Sequence, residues 1–370
     1  MLLPCTKKYL LPVLVLVFLS CVALPASAQY DFTKVDDWLT DNTPAMGGRA
    51  FLVVYKDGRI VHTKGVGDMS RRQKMVGRYL AKRAGKTANL DDYTIDTRQP
   101  IASCSKWLSA ALVMTFVDEG RLKLTDTIGK YLPILSRHGK GQITISQCLS
   151  HMTGIKEPPL KESLKEIRAT GSMDEAVAAI AAMPMEGTPG TVFHYSNAGL
   201  QLAGAVIEKI SGKNFETLFA ERIAVPLGMT HTDFSKGPVA LPAGGAFSTP
   251  NDYTRFLAMI LNKGVYNGKR ILAENSIAAM QVNRVSKDVR VAYVPVEAGD
   301  FGYGYGEWTM QSASVNTPAV TVTSPGLFGS FPWVNNQKGY CAFLMTMYIK
   351  NTGRHERYVA LKQLVDEAVR

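Results

Sequence analysis

The sequence predicts a mixed α/β fold of the α+β kind. An antiparallel sheet is built from N- and C-terminal strands and flanked by helices, with an all-helical domain inserted between them. Three observations lead there. Apolar, β-branched runs lie near both ends of the chain, apolar residues at helical spacing fill the middle, and turn-forming residues separate neighbouring runs. Strands at both ends around a helical middle are joined most simply in one sheet. The expected division is a discontinuous sheet domain of residues 29–100 and 240–370 and a helical domain of 101–239. A site is expected at their junction, a preferred place for a ligand cleft.

The first 28 residues read as a secretory signal. Lys7 and Lys8 precede an apolar run from Tyr9 to Leu24, and Ala26-Ser27-Ala28 supplies small residues before Gln29. The run is shorter than the roughly 20 residues that span a bilayer, and Pro12 and Pro25 interrupt it. A lipoprotein signal ending at Cys21 is the weaker alternative, because Phe18 and Leu19 are bulky for that role. Cleavage near Ala28 predicts a secreted or periplasmic protein and removes two lysines from a chain of net charge +11.

Ala50–Tyr55 and Ile60–Gly67 form a hairpin about Lys56-Asp57-Gly58-Arg59. The stretch from Arg71 to Lys86 carries Lys and Arg without an acid and reads as a solvated loop, with contact to a polyanion or the cell envelope as the alternative and a place in a cleft wall open to it. Helical periodicity follows at Ser105–Glu119, stopped by Gly120, then at Ile145–Ser150, Met173–Met183, Ala198–Ile210, Asn214–Ala224 and Pro250–Asn262. Strand character returns at Gly306–Met310, Ala319–Ser324, Leu327–Val334 and Tyr340–Tyr348, and Glu356–Val369 closes the chain as a helix on the sheet. After signal removal Cys104, Cys148 and Cys341 remain. Three separated cysteines in apolar surroundings make no disulfide framework and read as buried thiols.

Ser103-Cys104-Ser105-Lys106 opens the first strong helix. Three residues apart, Ser103 and Lys106 project from one face, where the helix N-terminus and the amine both favour an alkoxide. In Phe193-His194-Tyr195-Ser196-Asn197, a Tyr195 tyrosinate near the lysine can take the serine proton and return it to a leaving group. Asn197 can orient the lysine and bind a substrate carbonyl. In Ser324-Pro325-Gly326-Leu327-Phe328-Gly329, Gly326 permits close backbone approach to a ligand, and the Leu327 N–H with that of Ser103 can form an oxyanion hole.

Taken together and in this order, these phrases resemble the serine β-lactamase and penicillin-binding superfamily, and within it the class C-like branch. That branch includes D-alanyl-D-alanine carboxypeptidases, D-aminopeptidases and family VIII carboxylesterases. Cys148-Leu149-Ser150-His151-Met152-Thr153-Gly154-Ile155, Pro226-Leu227-Gly228-Met229 and Ala243-Gly244-Gly245 extend the resemblance over most of the chain. It implies a β-lactamase/transpeptidase-like fold, with catalytic Ser103, Lys106 and Tyr195 working through an acyl-enzyme. The third phrase departs from the family pattern, because Ser324 stands where Lys or His is common. A hydroxyl brings no charge to hold a substrate carboxylate. The expected substrate is therefore a small ester or amide without an obligatory anion. A D-amino-acid-specific peptidase or β-lactamase is the alternative, and a non-catalytic binding protein the alternative of another class.

His151 and His194 are read as structural, since no Gly-x-Ser-x-Gly elbow accompanies them. Trp107, Trp308 and Trp333 are read as core residues, Trp333 being near enough to the third phrase to line an acyl pocket. No metal motif is present and no cofactor is called for, and export argues against nucleic acid.

Overall fold

The computed structural model describes residues 30–370 apart from 84, 86, 160, 163–164, 166–168, 235–236 and 311–316. The signal segment with Ala28 and Cys21, and Lys86 at the end of the basic stretch, lie outside the described residues.

In chain order the principal elements begin with α1 (Thr33–Asn42), β1 (Arg49–Lys56), β2 (Arg59–Gly67), α2 (Arg71–Arg83) and α3 (Ser105–Asp118). There follow α4 (Met173–Ala182), α5 (Ala198–Ser211) and α6 (Pro250–Leu261). The remaining strands are β3 (Gly302–Tyr303), β4 (Trp308–Thr309), β5 (Thr321–Thr323), β6 (Phe331–Asn335) and β7 (Tyr340–Thr346), and α7 (Arg354–Ala368) ends the chain.

The seven strands form one antiparallel sheet in the order β2-β1-β7-β6-β5-β4-β3. The N-terminal hairpin thus pairs directly with the last strand, Leu52 opposite Leu344 and Val53 opposite Phe343. Its turn places Asp57 and Gly58 at φ of 52° and 75°, the left-handed pair that an Asp-Gly hairpin turn requires.

Side chains alternate across the sheet with a period of two. Leu52, Val54, Trp333 and Leu344 pack beneath α1 and α7, with Val35 and Leu39 from α1 and Leu361 and Val365 from α7. Val53, Val334, Phe343 and Met345 face the other way, into a larger core shared with α3, α5 and α6. Helix α3 lies within that core, buried along nearly its whole length from Ser105 to Phe116. Capping is local and legible: Thr249 accepts the Asp252 N–H ahead of Pro250, and Thr144 with Gln147 forms a capping box for the short helix Ile145–Leu149.

Three expectations need correction. The basic stretch is helical over Arg71–Arg83 rather than a loop, because Met75, Val76, Tyr79 and Leu80 fall at helical spacing and long cationic side chains lose little freedom in a helix. The strand expected from Gly306 starts only at Trp308, since Gly306, at φ 76°, turns against α3, where an added Cβ would stand 2.6 Å from the Lys106 carbonyl oxygen. The strand expected from Leu327 starts at Phe331. Before it the chain turns, with the Gly329 N–H donating to the Gly326 carbonyl at 2.8 Å. Helix α1 has no counterpart in the sequence reading, because Val35 and Leu39 alone carry its buried face.

Candidate active site

Ala102–Cys104 make a single 3₁₀ turn that runs into α3, so Ser103 sits at the head of the helix rather than inside its first turn. Ala102 is held at φ 46°, a conformation that an alanine adopts only when its surroundings impose it. Those surroundings are visible. Ser105 Oγ donates to the Ala102 carbonyl at 2.6 Å and accepts the Ala246 N–H at 3.0 Å, and the Tyr253 hydroxyl donates to the Cys104 carbonyl at 2.8 Å. The turn is therefore tied on two sides, which leaves Ser103 half-buried and open to solvent-filled space.

One turn on, Lys106 is buried. Its Nζ lies 3.3 Å from Ser103 Oγ, 3.2 Å from Asn197 Oδ1 and 2.8 Å from the Ala243 carbonyl oxygen. Burial pulls the ammonium down to about 7, opposed by the negative charge of Glu157. The Tyr195 hydroxyl neighbours Ser103, and its ring centroid lies 4.7 Å from Lys106 Nζ. Burial pushes its hydroxyl above the usual phenol range, so the tyrosinate expected from the sequence is disfavoured and the neutral phenol favoured.

Two helix ends meet here. The Asn197 and Ala198 N–H groups at the head of α5 donate to Glu157 Oε2 at 2.6 and 2.9 Å, and Asn197 Nδ2 donates to Oε1 at 3.3 Å. A carboxylate at a helix N-terminus is stabilised by the unpaired N–H groups there. Glu157 thereby fixes the amide of Asn197 with its oxygen toward Lys106. The sequence reading missed this residue, although it stands two positions beyond the Cys148–Ile155 segment.

His151 Nδ1 accepts the Ser196 N–H at 3.4 Å, its Nε2 is 3.0 Å from the Tyr303 hydroxyl, and its ring centroid is 4.6 Å from that of Tyr195. Burial holds His151 well below its ordinary pKa, so it acts as a neutral brace behind Tyr195. Trp308, with its ring centroid 5.0 Å from that of Tyr195, completes the aromatic wall. His194 pairs with Glu186. Trp333 lies across the sheet, its Nε1 donating to the Tyr340 hydroxyl at 2.9 Å, away from the site.

The third phrase contributes differently from expectation. Ser324 is buried, and its Oγ lies within donating distance of the Ser103 carbonyl (3.2 Å) and the Gly306 carbonyl (3.1 Å). It braces the turn that carries Ser103 and lines neither cavity at the site. Gly326 approaches protein rather than ligand: an added Cβ would stand 2.4 Å from the Ile101 carbonyl oxygen. Leu327 does face the site, and its carbonyl accepts from the buried Arg354 at 3.0 Å. The same guanidinium donates to the Tyr348 and Lys350 carbonyls and lies 3.6 Å from Glu297.

Ser103, Asn197 and Leu327 line two cavities at once, so the hydroxyl stands where two lobes meet. One lobe, about 470 Å³, is walled by Phe234, Leu241, Phe247 and Phe328 and has no Lys or Arg among its described lining residues. The other, about 670 Å³, contains Lys106, Tyr195, Tyr293 and Trp308 together with the carboxyl groups of Glu157, Glu186 and Glu297 and the exposed cation Lys156 at its edge. A serine hydroxyl beside a depressed lysine and a phenol, between two substrate-sized lobes, is equipped for acyl transfer.

A Beta-lactamase family model matches residues 43–365, and the chain belongs to that family, a class of serine hydrolases. A protein from Bacteroides dorei DSM 17855 described as a candidate β-lactamase has a crystal structure that superposes with a TM-score of 0.76 at 29% identity, covering 92% of this chain and 99% of that one. A family VIII carboxylesterase superposes at 0.68 with 19% identity over 90% of this chain and 96% of its own, a likeness of fold. Among curated proteins, the D-alanyl-D-alanine-carboxypeptidase/endopeptidase AmpH of Escherichia coli (strain K12) is 23% identical over 256 residues, 63% of this chain and 66% of AmpH.

Proposed function

We propose that this protein is an exported serine hydrolase that cleaves a small ester or amide without an obligatory carboxylate, through an acyl-enzyme on Ser103. Neutral Lys106 has two N–H groups for Asn197 Oδ1 and the Ala243 carbonyl, which leaves its lone pair for the Ser103 proton. The proton passes through the Tyr195 phenol to the leaving group, and the same groups activate water for deacylation. The N–H groups of Ser103 and Leu327 receive the oxyanion. Export rests on the charged, apolar and small-residue order of the first 28 residues.

The observation that carries the substrate reading is the commitment of the polar groups around the third phrase. Ser324 Oγ is occupied with backbone carbonyls, and Arg354 is buried with its guanidinium on three others. Neither is available to a substrate anion, and the smaller lobe suits an uncharged apolar group. A second reading, hydrolysis of a D-amino-acid amide or peptide, has in its favour the carboxyl groups of Glu186 and Glu297 on the larger lobe, already paired with His194 and Arg354 respectively.

The test is intact mass and turnover with a fluorophosphonate, a penicillin, a D-amino-acid amide and a short-chain p-nitrophenyl ester, with Ser103→Ala in parallel. Fluorophosphonate labelling and ester turnover, both lost in Ser103→Ala by on the order of 10⁶-fold in rate, are the expected result. A lasting penicilloyl adduct, or faster cleavage of the amino-acid amide, would move the assignment to a wall-peptide enzyme. No labelling by any reagent would reject the hydrolytic reading.

A further inference from the structure

Helix α2 is joined to the body along one side only. Gln73 donates through Nε2 to the Pro44 carbonyl at 3.1 Å and accepts the Ser70 N–H at 2.7 Å, while Gly77, one turn on, faces Leu90, whose Cδ2 would be 3.2 Å from an added Cβ. None of the helix's residues is buried. At 100° per residue the face opposite Gln73 and Gly77 is that of Met75 and Tyr79, again one turn apart. These two are 63% and 62% exposed; Val76 and Leu80, 45% and 56% exposed, lie outside the ridge, beyond Arg72 and Arg83 on the flank that turns toward Gln73. Arg71, Arg78 and Lys82 flank this apolar ridge on one side and Arg72 and Arg83 on the other, and the helix carries no acid.

We propose that α2 is a peripheral membrane anchor that lies in the surface of a bilayer containing anionic lipid. An exposed apolar ridge between two cationic rows is the pattern of a helix resting at the headgroup boundary. The ridge enters the acyl edge while the long cationic side chains reach back to phosphates. Charge complementarity selects the occupant. A neutral apolar partner would leave both cationic rows unpaired, and a soluble polyanion would leave Met75 and Tyr79 in water. Helix α2 lines neither lobe of the site, so binding sets where hydrolysis happens rather than its chemistry. Among the described residues no helix is long and apolar enough to cross a membrane, so α2 would act from one side of it.

Hydrogen exchange of the full chain, read over residues 71–83 with and without vesicles, tests the segment independently of any other lipid contact the chain makes. Vesicles of phosphatidylcholine with phosphatidylglycerol should slow exchange there, and phosphatidylcholine alone should not. Arg78→Gln with Lys82→Gln should weaken partitioning about 25-fold, each cation contributing roughly fivefold at an anionic surface. Met75→Ser with Tyr79→Ser should abolish the slowing, with thermal unfolding of both variants unchanged. Slowing that is absent, that is equal on neutral vesicles, or that survives the serine variant would overturn the proposal; the last result would mark a polyanion site instead.

Discussion

Lys106 is held where its own charge is disfavoured, and that setting is what makes it useful. A group whose pKa falls to about 7 is largely unprotonated just above neutrality, whereas an exposed lysine would not be. As the proposed base works only when unprotonated, kcat/KM on a neutral ester should rise as pH increases through about 7 and level off above it. The Glu157 carboxylate favours the ammonium, so Glu157→Gln, which can keep an oxygen on the Asn197 and Ala198 N–H groups but loses the acceptor for Asn197 Nδ2, should move that rise to lower pH. An unmoved profile in the variant would assign the rise to another group. The pairing of Ser103 with Lys106 was legible because the 3₁₀ turn holding Ser103 runs straight into α3, so a spacing of three residues still brings the two side chains together. Glu157 was not, since a lone glutamate in a loop has no spacing to betray that it will meet a helix end from another part of the chain.

Among elements, the turn from Gly326 to Ser330 shows how much of the site is backbone. Gly326→Ala would press a methyl against the Ile101 carbonyl, two residues from the nucleophile, and shift Leu327 with it. Since displacement of about 1 Å can cost roughly 10²-fold in rate, kcat should fall by about that factor in the folded fraction, and the clash with backbone should lower stability by about 1–3 kcal/mol. The central strand β7, paired on both sides, gives the opposite prediction. Leu344→Ala removes a fully buried side chain between α1 and α7 and should cost about 2–5 kcal/mol in chemical denaturation, with kcat preserved in the folded fraction. Most of the sheet strands could be read from β-branched, aromatic runs and turns because both kinds of signal are local; β3, only two residues long, gave no such run. Helix α2 was hidden by its own charge: the cations that suggested a loop occlude an apolar spacing that is helical. The role of Gly326 was hidden for a different reason, as a glycine's need for space does not say whether ligand or protein fills it.

In the molecule as a whole, the core accepts a costly group. Glu307, between Gly306 and Trp308, is fully buried with neither carboxyl oxygen hydrogen-bonded among the described residues, and burial holds its carboxyl well above the ordinary value of 4.5. Above that value the unfolded chain loses this proton and the native state keeps it, so its contribution to stability falls as pH rises. Glu307→Gln should therefore raise the melting temperature at about pH 8, with the gain shrinking toward about pH 4; a gain that is the same at both would remove ionisation as the cause. The shared sheet was foreseeable from strand-rich ends around a helical middle, but the burial of a carboxylic acid beside the site depends on packing that only the assembled chain defines. The reach of that assembly has a biosynthetic consequence. Ser324 braces the carbonyl of Ser103 from 221 residues later, and the Leu327 peptide is held by the first residue of the last helix. A nascent chain carries Ser103 early and the residues that brace its surroundings, Ser324 and Arg354, late. On the proposed mechanism, the polypeptide therefore gains its activity only after translation has run into α7 and the chain has folded.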